Sequence, residues 1–189
     1  MNVLLFNELM RTQGDKLGQH PTEWRLFMEF VCAYFKERKV ETPLVVEIGT
    51  MNNVQKDFYK GLLGAEHIGI DVAGNADIVG CSQDPDTILK LQTMLHGRMI
   101  DLLFIDGDHT YQAVKADYDN YRLMVRHIIA FHDISHPYSA SIPEETMRLW
   151  NEISATERGA ALLTFCHYNS ATMGISAGRQ MGIGLVVKG

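Results

Sequence analysis

Short apolar runs alternate along this chain with longer segments in which apolar residues recur at helical spacing. The clearest helical pattern spans 22–38, where large apolar side chains return every three or four positions. The run at 44–48 is almost entirely apolar, which is typical of a strand buried on both faces of a parallel sheet. By the same criteria, further strands are predicted at 67–72, 76–80, 99–105, 128–132, 162–165 and 183–187, and further helices at 54–63, 84–95, 110–124 and about 141–155.

Three helix starts have recognisable capping signals. Asp84 followed by Pro85 is a favourable N-cap and first helical residue. Asp108 is the expected N-cap of the 110–124 helix. Ser141 and Glu144 have the spacing of a capping box ahead of the next helix.

The order of these elements predicts an α/β fold. Strands that alternate with helices form βαβ units, which give a mostly parallel sheet with helices on both faces. The last two predicted strands have no helical pattern between them, so we expect them to pair antiparallel at the sheet edge.

Length and charge limit the classes of protein. The 189 residues fit one domain, with a helical N-terminal segment at about 1–40 and an α/β core at 44–189. There are 17 Lys and Arg against 23 Asp and Glu, a formal net charge of −6, so no nucleic-acid partner is expected. No apolar stretch is long enough to span a membrane.

The N-terminus and the cysteines indicate a cytoplasmic protein. The first apolar stretch is short and is interrupted by Asn7 and Glu8, which is not typical of a signal peptide. Three widely separated cysteines contain no C-x-x-C, which excludes a cysteine zinc site and suits a reducing compartment.

Candidate chemistry lies directly after the predicted strands. In an open α/β sheet, ligands bind at the carboxyl ends of the strands. Gly49 ends the first strand and permits a tight turn beside a ligand. Asp71 ends the second strand at about the 20-residue spacing expected for a carboxylate that binds a ribose. Asp106 to Tyr111 and the pair His132, Asp133 follow two later strands.

These strand ends together resemble one known family. The order E-I-G (47–49), G-I-D (69–71), F-I-D-G-D-H-T-Y (104–111) and F-H-D (131–133) resembles the class I S-adenosylmethionine-dependent methyltransferases. The similarity is to the branch with catechol-type and macrolide-sugar O-methyltransferases and cephalosporin-hydroxylase-like proteins, and it runs from about Pro21 to Lys188. It implies a Rossmann-like three-layer sandwich whose seven-stranded, mostly parallel sheet ends in an antiparallel C-terminal hairpin.

The resemblance also implies S-adenosylmethionine as cofactor. Asn53 stands where the family has a second glycine, and Asn tolerates the left-handed backbone that such a turn needs. Cys81 stands where relatives often have an acidic residue that meets the adenine amine, and Ser82 is a weak substitute. The cofactor-binding residues implied, from the methionine end through the ribose to the base, are Glu47, Gly49, Thr50, Asp71, Cys81, Ser82 and Asp106.

In the metal-dependent members of the branch, the resemblance places a divalent ion on Asp106, His132 and Asp133 and a catalytic base at His109. The chemistry is consistent, because Mg²⁺ prefers hard oxygen ligands and a histidine would favour Mn²⁺ or a similar ion. A metal ion lowers the pKa of a hydroxyl, and a neighbouring neutral histidine can take its proton. Asp106 and His109 are therefore the candidate catalytic residues.

The predicted function is metal-assisted O-methylation of a small-molecule hydroxyl by an enzyme that could form a homodimer. Two alternative functions are also compatible with this sequence. Asn53 and Cys81 would also suit a degenerate, non-methylating binding protein of this fold. A dinucleotide-dependent oxidoreductase is disfavoured by the missing G-x-G-x-x-G. Asp71 and Asp106 could also be simple caps, and His109 could be a structural histidine.

Overall fold

The computed structural model describes residues 1–135, 145–166 and 182–189. The strands are β1 (Leu44–Ile48), β2 (Glu66–Asp71), β3 (Ile78–Val79), β4 (Ile100–Ile105), β5 (Val125–His132), β6 (Ala160–Phe165) and β7 (Ile183–Lys188). The helices are α1 (Val3–Gln13), α2 (Pro21–Glu37), α3 (Gln55–Leu63), α4 (Pro85–Leu95), α5 (Tyr111–Tyr121) and α6 (Thr146–Thr156).

The strands form a seven-stranded sheet in the order β3-β2-β1-β4-β5-β7-β6. β1 to β5 pair parallel, whereas β7 pairs antiparallel with both β5 and β6. The predicted mostly parallel sheet with an antiparallel closing pair is confirmed. The Cα register aligns Ile48 with both Ile70 and Ile105, so β1, β2 and β4 end at the same level. The residues that follow these three strands therefore emerge side by side.

Helices cover both faces of this sheet, which gives three layers. β1 and β4 are buried at every position, as their apolar runs predicted. One apolar core lies between the sheet and α4, α5 and α6, and includes Leu91, Val114 and Trp150. The other lies under α1, α2 and α3, and includes Trp24 and Phe58. These two cores hold the carboxyl ends of the strands in fixed positions.

The structure corrects two details around α5. Its N-cap is Thr110, whose side chain accepts a hydrogen bond from the backbone N–H of Ala113, and not Asp108. The Asp108 carboxylate instead accepts from the backbone N–H of Thr110, in the turn before the helix. The α-helix also ends at Tyr121, and a short 3₁₀ turn over 122–124 leads directly into β5.

The N-terminal segment contains an amphipathic helix. Phe6 of α1 is buried, whereas Asn7 and Glu8 are exposed. The two polar residues that interrupt the apolar stretch therefore form its outer face. No helix among the described residues combines the length and apolarity needed to cross a membrane. The predicted capping box at Ser141 and Glu144 lies outside the described residues.

Candidate active site

Gly49 allows the ends of β1 and β4 to meet. Its φ of +84° lies in the left-handed region, and a Cβ atom there would lie 2.0 Å from the backbone oxygen of Asp106. Any other residue would push the two strand ends apart. The glycine thus places the turn after β1 directly against Asp106.

The turn after Gly49 forms without a second glycine. Asn53 has a φ of 55°, in the left-handed region that Asn tolerates, as expected from the sequence. Its side-chain amide also donates a 2.7 Å hydrogen bond to the backbone oxygen of Asn75. This bond joins the turn to the loop that follows β2.

A cleft of about 550 Å³ opens at the carboxyl ends of the first four strands. It contains five of the predicted cofactor-binding residues. Glu47 and Thr50 are fully buried and lie behind this lining. The lining is formed by Ile48, Gly49, Met51, Ile70, Asp71, Val72, Ala73, Gly80, Cys81, Ser82, Gln83, Asp106, Gly107 and Asp108.

Asp71 lies on the wall of this cleft and also caps two loops. One carboxylate oxygen accepts a 2.9 Å hydrogen bond from the backbone N–H of Met51, and the other accepts one of the same length from Ala73. The capping role foreseen as an alternative is therefore present. Each carboxylate oxygen can still accept a second hydrogen bond, so the two roles are compatible.

Two carboxylates and two histidines converge next to the cleft. Asp106 Oδ1 lies 3.0 Å from His132 Nδ1 and 3.4 Å from His109 Nε2. Asp133 Oδ2 lies 3.3 Å from the same His132 nitrogen and 3.2 Å from the same His109 nitrogen. These residues come from the ends of β4 and β5 and from the loop before α5, so the sheet topology assembles the cluster.

The pKa values of the residues in this cluster are shifted from their ordinary values. Burial raises the pKa of Asp106, but the charge of His132 and hydrogen bonds from both histidines outweigh it and lower that pKa to about 2. Burial also lowers the pKa of His132, and here the two carboxylates outweigh it and raise the pKa to about 10. The hydrogen bond with Asp106 raises the pKa of His109. Asp106 is therefore a carboxylate at neutral pH.

The two histidines differ in their access to solvent. The His109 side chain is 37% exposed, whereas that of His132 is only 3% exposed. His132 lies against the ring of Phe104, with ring centroids 6.3 Å apart. A ligand entering from the cleft can therefore meet His109 more readily than His132.

The donor atoms of the cluster are close enough together to hold a divalent metal ion. One ligand atom each from Asp106, His109 and Asp133 lie within 4.8 Å of one another. The set expected from the sequence has His132 in place of His109, and its Nδ1 also lies close to both carboxylates. Two carboxylates and one imidazole are suitable ligands for Mn²⁺ or Mg²⁺. Either histidine can complete the set.

Gln19 was not predicted as a site residue. Its amide nitrogen donates a 2.7 Å hydrogen bond to Asp106 Oδ2, and the residue is only 6% exposed. Its Oε1 is buried and accepts no hydrogen bond from the described part of the chain. Gln19 precedes α2, where neither a strand end nor a motif drew attention to it.

Glu47 has an unpredicted partner in His67. His67 Nε2 lies 2.9 Å from Glu47 Oε2, and both side chains are fully buried. Tyr59 stacks on the His67 ring at a centroid distance of 5.6 Å. Burial raises the pKa of Glu47 in spite of this histidine. The pair lies on the neighbouring strands β1 and β2, behind the cleft.

A further buried carboxyl supports the turn after β3. Gln83 Nε2 donates to Asp117 on α5 at 2.6 Å and to Ser82 Oγ at 2.7 Å, and Gln83 Oε1 accepts from Cys81 Sγ. Tyr121 donates to the backbone oxygen of Ser82. Burial raises the pKa of Asp117 to about 6. The sequence motifs assigned no role to Asp117.

Comparisons with known proteins agree with the motifs. A family model described as a methyltransferase domain matches residues 69–140. An O-methyltransferase from Bacillus cereus, solved with S-adenosylhomocysteine, is 16% identical and has a TM-score of 0.60, with 97% of this chain and 90% of that chain covered. No curated protein matches the chain.

Two further solved structures have the same fold. The mycinamycin-pathway methyltransferase MycE, solved with Mg, S-adenosylhomocysteine and mycinamycin VI, is 16% identical with a TM-score of 0.63, and the match covers 97% of this chain but 54% of MycE. The O-methyltransferase TomG from Streptomyces achromogenes, solved with S-adenosylmethionine, is 10% identical with a TM-score of 0.59, and 97% and 89% are covered. Over residues 69–140 the chain is thus similar to methyltransferase domains, and its fold is the one found in these solved O-methyltransferases.

Proposed function

We propose that this protein transfers a methyl group from S-adenosylmethionine to a hydroxyl group of a small molecule, with the help of a divalent metal ion. One observation carries the proposal. Asp106, His109, His132 and Asp133 converge beside a cleft whose other wall contains Asp71 and the turn after β3. A nucleoside and a reactive hydroxyl can therefore be held next to each other.

The cleft supplies the features that a nucleoside needs. Gly49 leaves the backbone bare where β1 meets β4, so a ligand can approach it closely. Asp71 has lone pairs left for ribose hydroxyls after its two backbone hydrogen bonds. S-adenosylmethionine supplies the methyl group as a sulfonium substituent, and these residues orient its nucleoside.

The metal would be held by Asp106 and Asp133, with His132 as the buried third ligand. Because the two carboxylates raise the pKa of His132 to about 10, this histidine would have to release its proton for the ion to bind. When bound, a Mg²⁺ or Mn²⁺ ion lowers the pKa of the substrate hydroxyl and fixes its oxygen. Gln19 holds Asp106 Oδ2, which leaves Oδ1 directed at the two histidines. Positioning of the hydroxyl relative to the methyl group supplies much of the remaining rate enhancement.

His109 is the proposed base. It is the more exposed of the two histidines, so it can meet a substrate hydroxyl and exchange its proton with solvent. Asp133, 3.2 Å from His109 Nε2, can stabilise the imidazolium that forms when the proton is taken. The small-molecule substrate class is proposed by analogy with MycE, whose structure contains Mg and mycinamycin VI.

Calorimetry with S-adenosylhomocysteine tests the cofactor site. We expect a Kd in the micromolar range, about −8 kcal/mol, and a loss of at least about tenfold in Asp71→Ala. Asp86→Ala, an exposed carboxylate on α4, is the matched control and should bind normally. If the unaltered protein bound neither S-adenosylhomocysteine nor S-adenosylmethionine, the proposed function would be wrong.

The two histidine roles can be separated with Mn²⁺ binding. His132→Gln should weaken Mn²⁺ binding by about 10- to 100-fold, because a ligand is lost. His109→Gln should leave the Mn²⁺ affinity almost unchanged. If the pattern is reversed, His109 is the ligand and His132 is not, a result that the distances around both carboxylates also allow.

A further inference from the structure

The start of α6 lies against the loop that carries His109. The backbone N–H of Glu145 donates a 3.1 Å hydrogen bond to the backbone oxygen of His109. In return, Glu145 Oε2 accepts a 2.7 Å hydrogen bond from the backbone N–H of Tyr111. Glu145 therefore holds the chain at His109 itself and again at the first residue of α5.

The Glu145 carboxylate caps α5 and not its own helix. Glu145 is the N-cap of α6, but its side chain makes no capping hydrogen bond there. Tyr111 begins α5, and a backbone N–H at that position has no acceptor within its own helix. A carboxylate is also favoured beside the positive end of a helix dipole. The Thr110 side chain accepts from Ala113 instead, so the two caps satisfy different donors.

Two further residues of α6 contact the side chain of Tyr111. The Arg148 guanidinium lies 3.9 Å from the centroid of the Tyr111 ring, and the Tyr111 hydroxyl donates a 2.6 Å hydrogen bond to Glu152. Apolar residues of α6, which include Leu149 and Trp150, already dock the helix in the core. The polar contacts fix the adjacent loop relative to this docked helix.

The other end of the same loop is fixed at β1. The backbone N–H of Asp106 donates a 2.8 Å hydrogen bond to the backbone oxygen of Ile48. Between the two anchors, His109 Nε2 lies 3.4 Å from Asp106 Oδ1 and 3.2 Å from Asp133 Oδ2. Because the His109 side chain is half-buried and not enclosed, the position of its backbone decides whether the imidazole reaches both carboxylates.

We propose that Glu145 is a positioning residue for His109: its two hydrogen bonds set the loop so that the imidazole stays between the carboxylates of Asp106 and Asp133. This inference rests on the proposed function, in which His109 is the base. A displacement of about 1 Å at a reacting group can cost about 100-fold in rate, so a residue that touches no substrate can affect the reaction in this way. The helix α6 thereby supports the site although no residue of the cluster lies on it.

NMR signals of the histidine rings test the role of Glu145. In protein labelled with ¹³C at histidine Cε1 and without added metal, the signals lost in His109→Gln and His132→Gln assign these two rings. In Glu145→Ala the His109 signal should shift, because the ring moves relative to the two carboxylates, whereas the signal of the buried His132 should move far less. Glu145→Gln keeps an acceptor oxygen and should restore the original His109 signal.

Glu157→Ala is the matched control. It removes another glutamate that accepts a backbone N–H, from Gly159 at 2.8 Å, but at the opposite end of α6. The His109 signal should not change in this variant, because the start of α6 and the loop before α5 keep all their contacts. A shift of the same size as in Glu145→Ala would contradict the inference.

The backbone donor can also be removed without altering Glu145. Tyr111→Pro removes the N–H that Glu145 accepts, and proline is favourable at the first position of a helix. Tyr111→Ala removes the same ring but keeps the N–H. Tyr111→Pro should therefore shift the His109 signal more than Tyr111→Ala does, and this pair provides the test if Glu145→Ala does not fold.

The results separate this inference from the proposed function. An unchanged His109 signal in folded Glu145→Ala, no restoration in Glu145→Gln, or equal shifts in Tyr111→Pro and Tyr111→Ala would overturn the inference and leave the proposed function in place. If the unaltered protein binds neither S-adenosylhomocysteine nor S-adenosylmethionine, the proposed function fails, and the role of Glu145 in positioning a base fails with it.

Discussion

Two carboxyl groups at adjacent central strands, Glu47 and Asp106, have opposite pKa shifts although each lies against a histidine. Glu47 on β1 has one histidine partner, His67 at 2.9 Å, and burial raises its pKa. Asp106, directly after β4, has His132 at 3.0 Å and His109 at 3.4 Å, and its pKa falls to about 2. The Glu47 side chain is fully buried, whereas that of Asp106 is 13% exposed.

The difference shows that the partners of a carboxyl, and not burial alone, set the direction of its pKa shift: the charge of His132 and hydrogen bonds from two histidines act on Asp106, whereas one histidine acts on Glu47. Gln19 adds a third donor to Asp106 at 2.7 Å. Asp117 extends the series in the other direction, because its donors are the neutral Ser82 and Gln83 and its pKa rises to about 6. Of these three carboxyls, Asp106 is the one whose pKa is lowered, and it lines the cleft.

Among the variants that test this comparison, Asp106→Asn should have the largest effect on stability and on metal binding. The variant removes the central acceptor of the cluster and leaves His132 buried without its closest charge partner, so the free energy of unfolding should fall by about 3 kcal/mol at neutral pH. Mn²⁺ affinity should fall by at least about 100-fold. Chemical denaturation and calorimetry measure the two effects. Asp108→Asn, which alters an exposed neighbour, is the control. If Asp106→Asn retained its Mn²⁺ affinity, Asp106 would not be a metal ligand.

The pH dependence of Asp117→Asn should show how much of the cost of burying the Asp117 carboxylate its neutral hydrogen-bond donors leave uncompensated. Asp117 titrates near pH 6 in the folded protein and near its ordinary value of 3.8 in the unfolded chain. Between these values only the folded protein keeps the proton, so rising pH destabilises the unaltered protein. The Asp117→Asn variant has no carboxyl at this position, so it does not lose stability in this way. Its stability relative to the unaltered protein should therefore increase by about 2 kcal/mol between about pH 4.5 and pH 7.5.

Denaturant titrations at the two pH values measure this difference. Asp119→Asn should show the same pH dependence as the unaltered protein, because that carboxyl is exposed. If Asp117→Asn also follows the unaltered protein at both pH values, Asp117 is ionised without penalty and the series of donors does not explain its charge.

Gln19→Leu should measure the third donor of Asp106. Loss of a hydrogen bond that orients a metal ligand reduces affinity by about tenfold in comparable sites, and we expect that reduction in Mn²⁺ affinity. Gln13→Leu is a matched control, because it breaks a 2.8 Å hydrogen bond of the same type, to Asp57, away from the cluster. Equal Mn²⁺ affinity in the two variants would show that Gln19 does not orient Asp106.

Glu47→Gln should have the smallest effect. An amide can keep the hydrogen bond with His67, and the raised pKa of Glu47 means that burial disfavours the charged carboxylate, so the free energy of unfolding should change by less than about 1 kcal/mol. Mn²⁺ affinity should not change. A loss above about 3 kcal/mol would indicate that Glu47 is ionised and tightly paired with His67, which would make it resemble Asp106 after all.

Much of the fold followed from local patterns. The apolar runs located β1, β2 and β4, and the missing helix between the last two strands indicated their antiparallel pairing. The motifs after the strands also brought Gly49, Asp71 and Asp106 to one cleft, because parallel strands of equal register end side by side. One local feature was predicted wrongly, because the N-cap of α5 is Thr110 and not Asp108.

By itself, the sequence determined the order of the elements, the central strands and the residues that follow them, since hydrophobic periodicity and glycine act over a few neighbouring positions. Only the tertiary structure decided the partners of the buried carboxyls: Gln19 for Asp106, His67 for Glu47 and Asp117 for Gln83. The two members of each pair lie far apart in the chain. A single polar residue forms no periodic pattern, so the sequence does not indicate which residue it will contact. Their charges follow from that packing, because hydrogen-bond donors and burial act through space and not along the sequence.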